Sequence, residues 1–450
     1  MMNNNQTRNI LIQTYGCQMN VYDTEIMQRM LYPLGYRSAP SEKAADIILI
    51  NTCAIREKAE QKVFSYLGRL SLLKQNRPQL IIGVCGCIAQ NQGKKLIVRS
   101  PCVDFVVGTH AIFQLPSILN DVWHGKNTQK VFINFNEYID EVDLVGSPVM
   151  DSNISGFVTI MRGCNNYCAY CVVPYVRGPE ISRKADDIIN EIKQKTDKGM
   201  LEVTLLGQNV NSYGKREGMI SFVDLLARVN QIKGLKRIRF TTSHPKDLNT
   251  DLIDAFASLE KLCAHIHLPV QSGSDNILKR MNRKYSRDDY LQKINALKIK
   301  CPDISISSDF IVGFPGETDE DFEASLSLIR EVEYDSLFAF QYSDRDIAPA
   351  ARFFPKIDEK LKRERLIQLL DVQGENTIKK NQRCVGQRHS VLVEGKSKRD
   401  PRQWTGRTSG NKIVNFMAPD TSTNLNALLV DVNIEEACAH SLRGILCPTK

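Results

Sequence analysis

Three cysteines, Cys164, Cys168 and Cys171, stand in the run Gly163-Cys164-Asn165-Asn166-Tyr167-Cys168-Ala169-Tyr170-Cys171. Each iron of a four-iron, four-sulfide cluster needs one outside ligand to complete its tetrahedron. Three neighbouring thiolates therefore satisfy three irons and leave the fourth open. An open iron is a place for a small molecule to chelate. The competing use of this spacing is zinc with a fourth ligand from elsewhere, because zinc sites favour Cys-x2-Cys pairs. A disulfide framework would need an oxidising compartment.

A second set of thiols is spread along the first 90 residues. Short apolar runs over 10–14, 47–51, 80–84 and 103–107 alternate with amphipathic stretches, the pattern of a parallel sheet flanked by helices. Cys17, Cys53 and Cys87 follow the first three runs at once. The carboxyl ends of strands in an open parallel sheet line a ligand crevice, so these three distant cysteines are expected to converge on a second cluster, also with a free iron; three unrelated buried thiols are the alternative. Cys85 alternates to the other side of an extended backbone and reads as structural.

Beyond an acidic linker over 134–155, strand and helix signals repeat six times, with strands at 157–161, 202–206, 237–241, 264–269, 304–312 and 336–342. Six such units predict a partial α/β barrel whose chemistry gathers at the strand carboxyl ends. The polar clusters fall there: the cysteine loop, Gly207-Gln208-Asn209, Thr242-Ser243-His244-Pro245, Gln271-Ser272-Gly273-Ser274 and Gly313-Phe314-Pro315-Gly316-Glu317. Thr318-Asp319-Glu320-Asp321 matches a capping box ahead of the apolar face Phe322, Leu326 and Ile329. His244 reads as a packed or capping histidine, and Met281 and Phe314 as core. A charged helix over 358–380 leads to β runs that predict a small barrel.

At 450 residues the chain is long enough for about three domains, and 42% hydrophobic with 24% charged residues is ordinary globular composition. The boundaries expected are 8–124, 150–382 and 385–448. No apolar run reaches the ~20 residues of a membrane span, and the polar start carries no apolar signal core, so a cytoplasmic location is expected. Thirteen cysteines in that setting suggest metal or redox chemistry. The net charge of +8 is concentrated between Arg388 and Lys412, where seven basic residues face two acidic ones. With His389 and Trp404 interleaved, that stretch is expected to contact phosphates and stack on bases; a solvated charged hairpin is the alternative.

Cys-x3-Cys-x2-Cys resembles the signature of radical S-adenosylmethionine (SAM) enzymes. Together with Gln13-Thr14-Tyr15-Gly16-Cys17-Gln18-Met19-Asn20, Asn51-Thr52-Cys53-Ala54-Ile55-Arg56, Gly86-Cys87-Ile88-Ala89-Gln90 and Pro174-Tyr175-Val176-Arg177-Gly178-Pro179-Glu180-Ile181-Ser182-Arg183, it is similar to the methylthiotransferase family over almost the whole chain. The resemblance implies an amino-terminal methylthiotransferase domain, a radical SAM barrel and a carboxyl-terminal RNA-binding TRAM domain. It implies two 4Fe-4S clusters, one on Cys164, Cys168 and Cys171 and one on Cys17, Cys53 and Cys87, with SAM contacted by Gln208, Asn209, Gln271, Ser272 and Gly313. Gly207-Gln208-Asn209 here replaces the Gly-Gly-Glu of many relatives. Arg177 and Arg183 would neutralise a carboxylate or a phosphate. The branch it most resembles adds a methylthio group to carbon 2 of an isopentenylated adenosine next to the tRNA anticodon. Such chemistry implies the anticodon stem-loop as partner, a reductase or a ferredoxin- or flavodoxin-type electron donor, and a sulfur donor. A sibling acting on threonylcarbamoyl-adenosine or a ribosomal protein, and a non-catalytic two-cluster RNA-binding protein, are the alternatives.

Overall fold

In the amino-terminal sheet the strands Ile47–Thr52 and Ile81–Gly86 are buried at every position, as a parallel sheet covered on both faces requires. The computed structural model describes residues 7–54, 57–126, 129–135, 154–215, 218–418 and 423–448. The linker read over 134–155 falls largely outside these residues, as do Ile55 and Arg56. The chain forms two compact units. One comprises the amino-terminal segment to residue 151 with Phe157–Tyr167 and Cys171–Arg183; the other comprises Ser152–Gly156, Cys168–Tyr170 and Lys184–Lys450.

The first unit carries a six-stranded parallel sheet in the order Tyr36–Ser38, Arg8–Tyr15, Ile47–Thr52, Ile81–Gly86, Phe105–Val107, Val131–Phe132. The two outermost strands, of three and two residues, are too short to leave a periodic signal. Register decides the rest: Tyr15 pairs with Thr52, and Thr52 with Gly86. The three central strands therefore end at one level, and the turns bearing Cys17, Cys53 and Cys87 leave the sheet side by side at successive strand spacings of about 4.8 Å.

In the second unit parallel strands alternate with helices: Glu202–Leu206, Arg237–Thr241, His265–His267, Ser305–Val312 and Ser336–Gln341. The strand expected over 264–269 shrinks to three residues, because the Ala264 N–H donates to Ser409 Oγ (2.9 Å) and Pro269 has no N–H. The ladder consequently breaks between Arg237–Thr241 and His265–His267, where a single Ile238–Leu262 bridge remains. The capping box forms as read: Thr318 Oγ1 accepts from Asp321 N, and Asp321 Oδ2 accepts from Thr318 N. Phe322, Leu326 and Ile329 are buried beneath that helix.

Residues 388–446 close into a five-stranded barrel around Val391, Val393, Trp404, Val414, Phe416, Val432, Ile434 and Leu442. Its hairpin docks on the amino ends of the larger domain's strands. Arg237 donates to the carbonyls of Arg407 (2.6 Å) and Ser390 (2.9 Å), and Arg239 to those of Ser409 (2.9 Å) and Thr408 (2.8 Å). Lys412 Nζ reaches Asp335 Oδ1 at 2.9 Å and Asn381 Oδ1 at 3.0 Å. The Arg237 and Arg239 guanidinium groups are buried and each meets a carbonyl pair, an arrangement that suits their planar fork, while Arg239 Nε lies 3.0 Å from Glu202 Oε2. The small barrel thus occupies the end of the strands opposite the polar loops.

Candidate active site

Cys17, Cys53 and Cys87 come together as the register requires. Gly16, at φ +151°, brings the first turn so close that a Cβ there would lie 2.6 Å from Cys53 Cβ. A pair of buried asparagines fastens the turns: Asn20 Nδ2 donates to Asn51 Oδ1 (3.1 Å) and Thr52 O (3.0 Å), while Asn51 Nδ2 returns a bond to Asn20 O (2.8 Å). A hydrogen bond from Cys53, assisted by the charge of Arg177 and opposed by burial, draws the Cys17 thiol down to about 6. Burial raises the Cys87 thiol, and Arg177 counters that rise. Cys85 lies within its strand, and burial followed by the charge of Asp23 pushes it to about 12, a protonated thiol suited only to packing.

The same unit holds Cys164 and Cys171. Cys164 N donates to Gly178 O (3.2 Å), and at Gly163, φ +76°, a Cβ would fall 1.9 Å from Pro179 O, so only glycine lets these strands approach. Arg177 follows, buried, with Nη2 donating to Asp23 Oδ2 at 2.9 Å. Burial works against its charge, but Cys87, Asp23 and Cys17 keep its pKa well above the ordinary value. The carboxylate that Arg177 neutralises belongs to the protein itself. Arg183 is likewise engaged internally, donating to Thr159 O (2.7 Å) and the Tyr22 hydroxyl (3.3 Å).

Cys168 belongs to the second unit. Its Sγ lies 3.4 Å from Arg283 Nη1 and 4.0 Å from His244 Nε2. Arg283 is fixed by Pro269 O (2.6 Å) and Tyr285 Oη (2.8 Å), and Ala169 is stitched on both sides, its N–H to Met281 O and its carbonyl to Ala350 N, each at 2.9 Å. His244 caps Pro245–Asp247 by accepting from Lys246 N at Nδ1, which leaves Nε2 carrying the proton toward sulfur. Burial, then Arg283 and nearby lysines, depresses its pKa strongly, so it is neutral. It is therefore a capping histidine, as expected, that also faces a cysteine. Met281 and Phe314 are fully buried core.

The remaining residues read from the sequence sit at strand carboxyl ends with protein partners. Asn209 joins Asp247 Oδ2 (2.7 Å) to His244 N (3.2 Å). Ser272 is fully buried and accepts from Ser274 N. Gln271 sits at φ +79° with its N–H on Asp309 O, and Gln208 is half-buried. Gly313 N donates to Glu317 Oε2 (2.7 Å), and Lys362 fills the space a Cβ would need. Burial raises Glu317 to about 7 despite Arg365 beside it.

In the carboxyl-terminal stretch the stacking role read for Trp404 needs correction. Trp404 is 5% exposed in the barrel core, with Lys396 over its ring at 3.8 Å, and offers no stacking face; His389 is half-buried, with its Nε2 turned inward. Arg388, Arg402, Arg407 and Lys412 pair with Asp431, Asp400, Glu394 and Asp335, which neutralises much of the basic stretch. Sequence reasoning also missed Asp23, Arg283, Arg237 and Arg239, whose partners lie far away along the chain.

All thirteen cysteines are free thiols. Among the described residues no three ligating side chains close to the spacing of a single metal ion, whereas an iron–sulfur core takes one thiolate per iron. Cys17, Cys53 and Cys87, brought together within the first unit, fit such a group. No described helix is long and apolar enough to cross a membrane.

Residues 9–108 match the uncharacterized protein family UPF0004, 158–329 the radical SAM superfamily and 382–447 the TRAM domain. A tRNA-2-methylthio-N(6)-dimethylallyladenosine synthase of Desulfosudis oleivorans is 51% identical, covering 96% of each chain. A protein of the same name from Syntrophus aciditrophicus is 48% identical, covering 98% of this chain and 95% of its own. The radical SAM methyltransferase TsrM of Kitasatospora setae has a similar fold, with TM-score 0.58 at 12% identity over 86% of this chain and 78% of its own.

Proposed function

The chain belongs to the family of tRNA-2-methylthio-N(6)-dimethylallyladenosine synthases, and from that membership we infer how its residues share the work. It is a radical SAM enzyme that adds a methylthio group to carbon 2 of N(6)-isopentenyl-adenosine next to the tRNA anticodon. The observation that carries this is near-full-length identity with the curated synthases, reinforced by two sets of free thiols at strand ends. The TRAM barrel supplies the RNA-binding module.

Cys164, Cys168 and Cys171 would hold the cluster that binds SAM, and Cys17, Cys53 and Cys87 a second one. When bound, these groups supply a carbon radical and a sulfur source, which the target requires because no side-chain base removes an aromatic hydrogen of such low acidity. The protein's own residues prepare the ground. Arg177 offsets negative charge at Cys17 and Cys87 in a buried setting, and Asp23 holds it there. Neutral His244 and cationic Arg283 both face Cys168 sulfur; such contacts tune a cluster's potential. Gln208, Asn209, Gln271, Ser272 and Gly313 shape the SAM side at the strand ends, with Asn209 and Ser272 acting through neighbouring backbone. Turnover draws on a ferredoxin- or flavodoxin-type reductant and a separate sulfur donor, in the cytoplasm. The boundaries 8–124, 150–382 and 385–448 delimit the three modules.

Anaerobic iron and sulfide analysis tests the two-cluster reading. The reconstituted chain should hold about eight irons, four per cluster, and the triple variant Cys164→Ala/Cys168→Ala/Cys171→Ala about half. A wild-type chain holding only one cluster's iron overturns the second site.

A further inference from the structure

The last strand of the larger domain runs against expectation for a sheet rich in aromatics. In Ser336–Gln341 exposure alternates, with Phe338 53% and Phe340 37% exposed, while Leu337 and Ala339 are more covered. Parallel pairing places Asp309 beside Phe338 and Ile311 beside Phe340. His267, one strand further on, pairs with Ser307 and shares that face. Its ring meets Phe338 edge-on at 6.2 Å, its Nδ1 is 3.0 Å from Ser307 Oγ and its Nε2 is 3.5 Å from Asp309 Oδ1. The opposite face of the central strand, Ile306, Ser308, Phe310 and Val312, is buried. The inner face therefore offers two aromatic rings spaced two residues apart, about 7 Å, an aliphatic neighbour and one carboxylate.

We propose that Phe338, Phe340 and Ile311 receive the isopentenyl-bearing base of the substrate and that Asp309 excludes its threonylcarbamoyl counterpart; this rests on the function stated above. Exposed aromatic rings on a strand are the usual platform for an unstacked base, and an apolar N6 substituent adds area to bury against them. The face runs on to the strand end that carries Gly313, two residues beyond Ile311 on the same side of the strand. The threonylcarbamoyl group ends in a carboxylate, which Asp309 would meet as a like charge in a half-covered site. Selection between the two nucleosides then has an attractive and a repulsive part.

The test uses the full-length reconstituted enzyme and three anticodon stem-loop RNAs that differ only at the target adenosine: unmodified, isopentenylated and threonylcarbamoylated. Phe338→Ala and Phe340→Ala should each lower kcat/KM on the isopentenylated RNA by roughly tenfold or more and reduce its binding preference over the unmodified RNA. Phe338→Leu, which keeps apolar area, should retain more of that preference. Asp309→Asn should bind the threonylcarbamoylated RNA about tenfold tighter than wild type. Variants that discriminate as wild type does, or that lose affinity for all three RNAs equally, overturn the site. Wild-type enzyme that methylthiolates none of the RNAs overturns the function itself, whatever the variants do.

Discussion

Arg177 donates from Nη2 to Asp23 Oδ2 across 2.9 Å, joining residues 154 positions apart, both almost fully buried. Removing one partner of such a pair leaves the other charge buried and uncompensated, at a cost of about 3–5 kcal/mol. Arg177→Met and Asp23→Leu are each expected to lower the unfolding free energy by that much, read as a fall in the urea midpoint at unchanged slope. The double variant should lose clearly less than their sum. Additive losses in a double-mutant cycle would show that the pair is not coupled.

The two sets of thiols have separable duties. Cys164→Ala should abolish 5'-deoxyadenosine formation from SAM, because the open iron is lost. Cys53→Ala should leave that cleavage partly intact while eliminating methylthiolated nucleoside from digested tRNA. Product from the Cys53 variant would remove the second cluster from the reaction.

Sequence carried the thiol geometry because it depends on local rules: strands end, turns follow, and register aligns Tyr15, Thr52 and Gly86. The capping box at Thr318 was legible for the same reason. Asp23, Arg283 and Arg239 were not, since each acts on a partner that only tertiary folding brings near. Trp404 was misread although its strand alternates, with Trp404, Gly406 and Thr408 inward; period-two reading would have put the indole in the core. Phe338 and Phe340 show the converse, aromatics on a strand that stay partly exposed to solvent.

Arg237 and Arg239 each grip two carbonyls of the small barrel. Bonds to charged groups contribute about 1.5–3 kcal/mol apiece. Arg237→Ala/Arg239→Ala should therefore loosen docking while the barrel's own core persists. Amide exchange should accelerate by at least tenfold across 408–412 and remain slow at Val391, Val393 and Val432. Unchanged exchange at the hairpin would assign its anchoring to other contacts.

Asp335 predicts how docking responds to acid. Burial raises its pKa, but Lys412 at 2.9 Å, Lys380 at 3.2 Å and the Ile306 N–H at 3.1 Å outweigh that and hold it below the ordinary carboxylate value. A carboxyl whose folded pKa is depressed adds stability that is complete above its unfolded value near 4 and is lost as pH falls through the folded value. Undocking of the Thr408–Lys412 hairpin should thus begin only below about pH 4, not near neutrality. Asp335→Asn keeps the shape and loses the charge, so its hairpin should show at pH 7 the faster amide exchange that wild type reaches only in acid. A variant as protected as wild type at pH 7 would separate docking from this carboxylate.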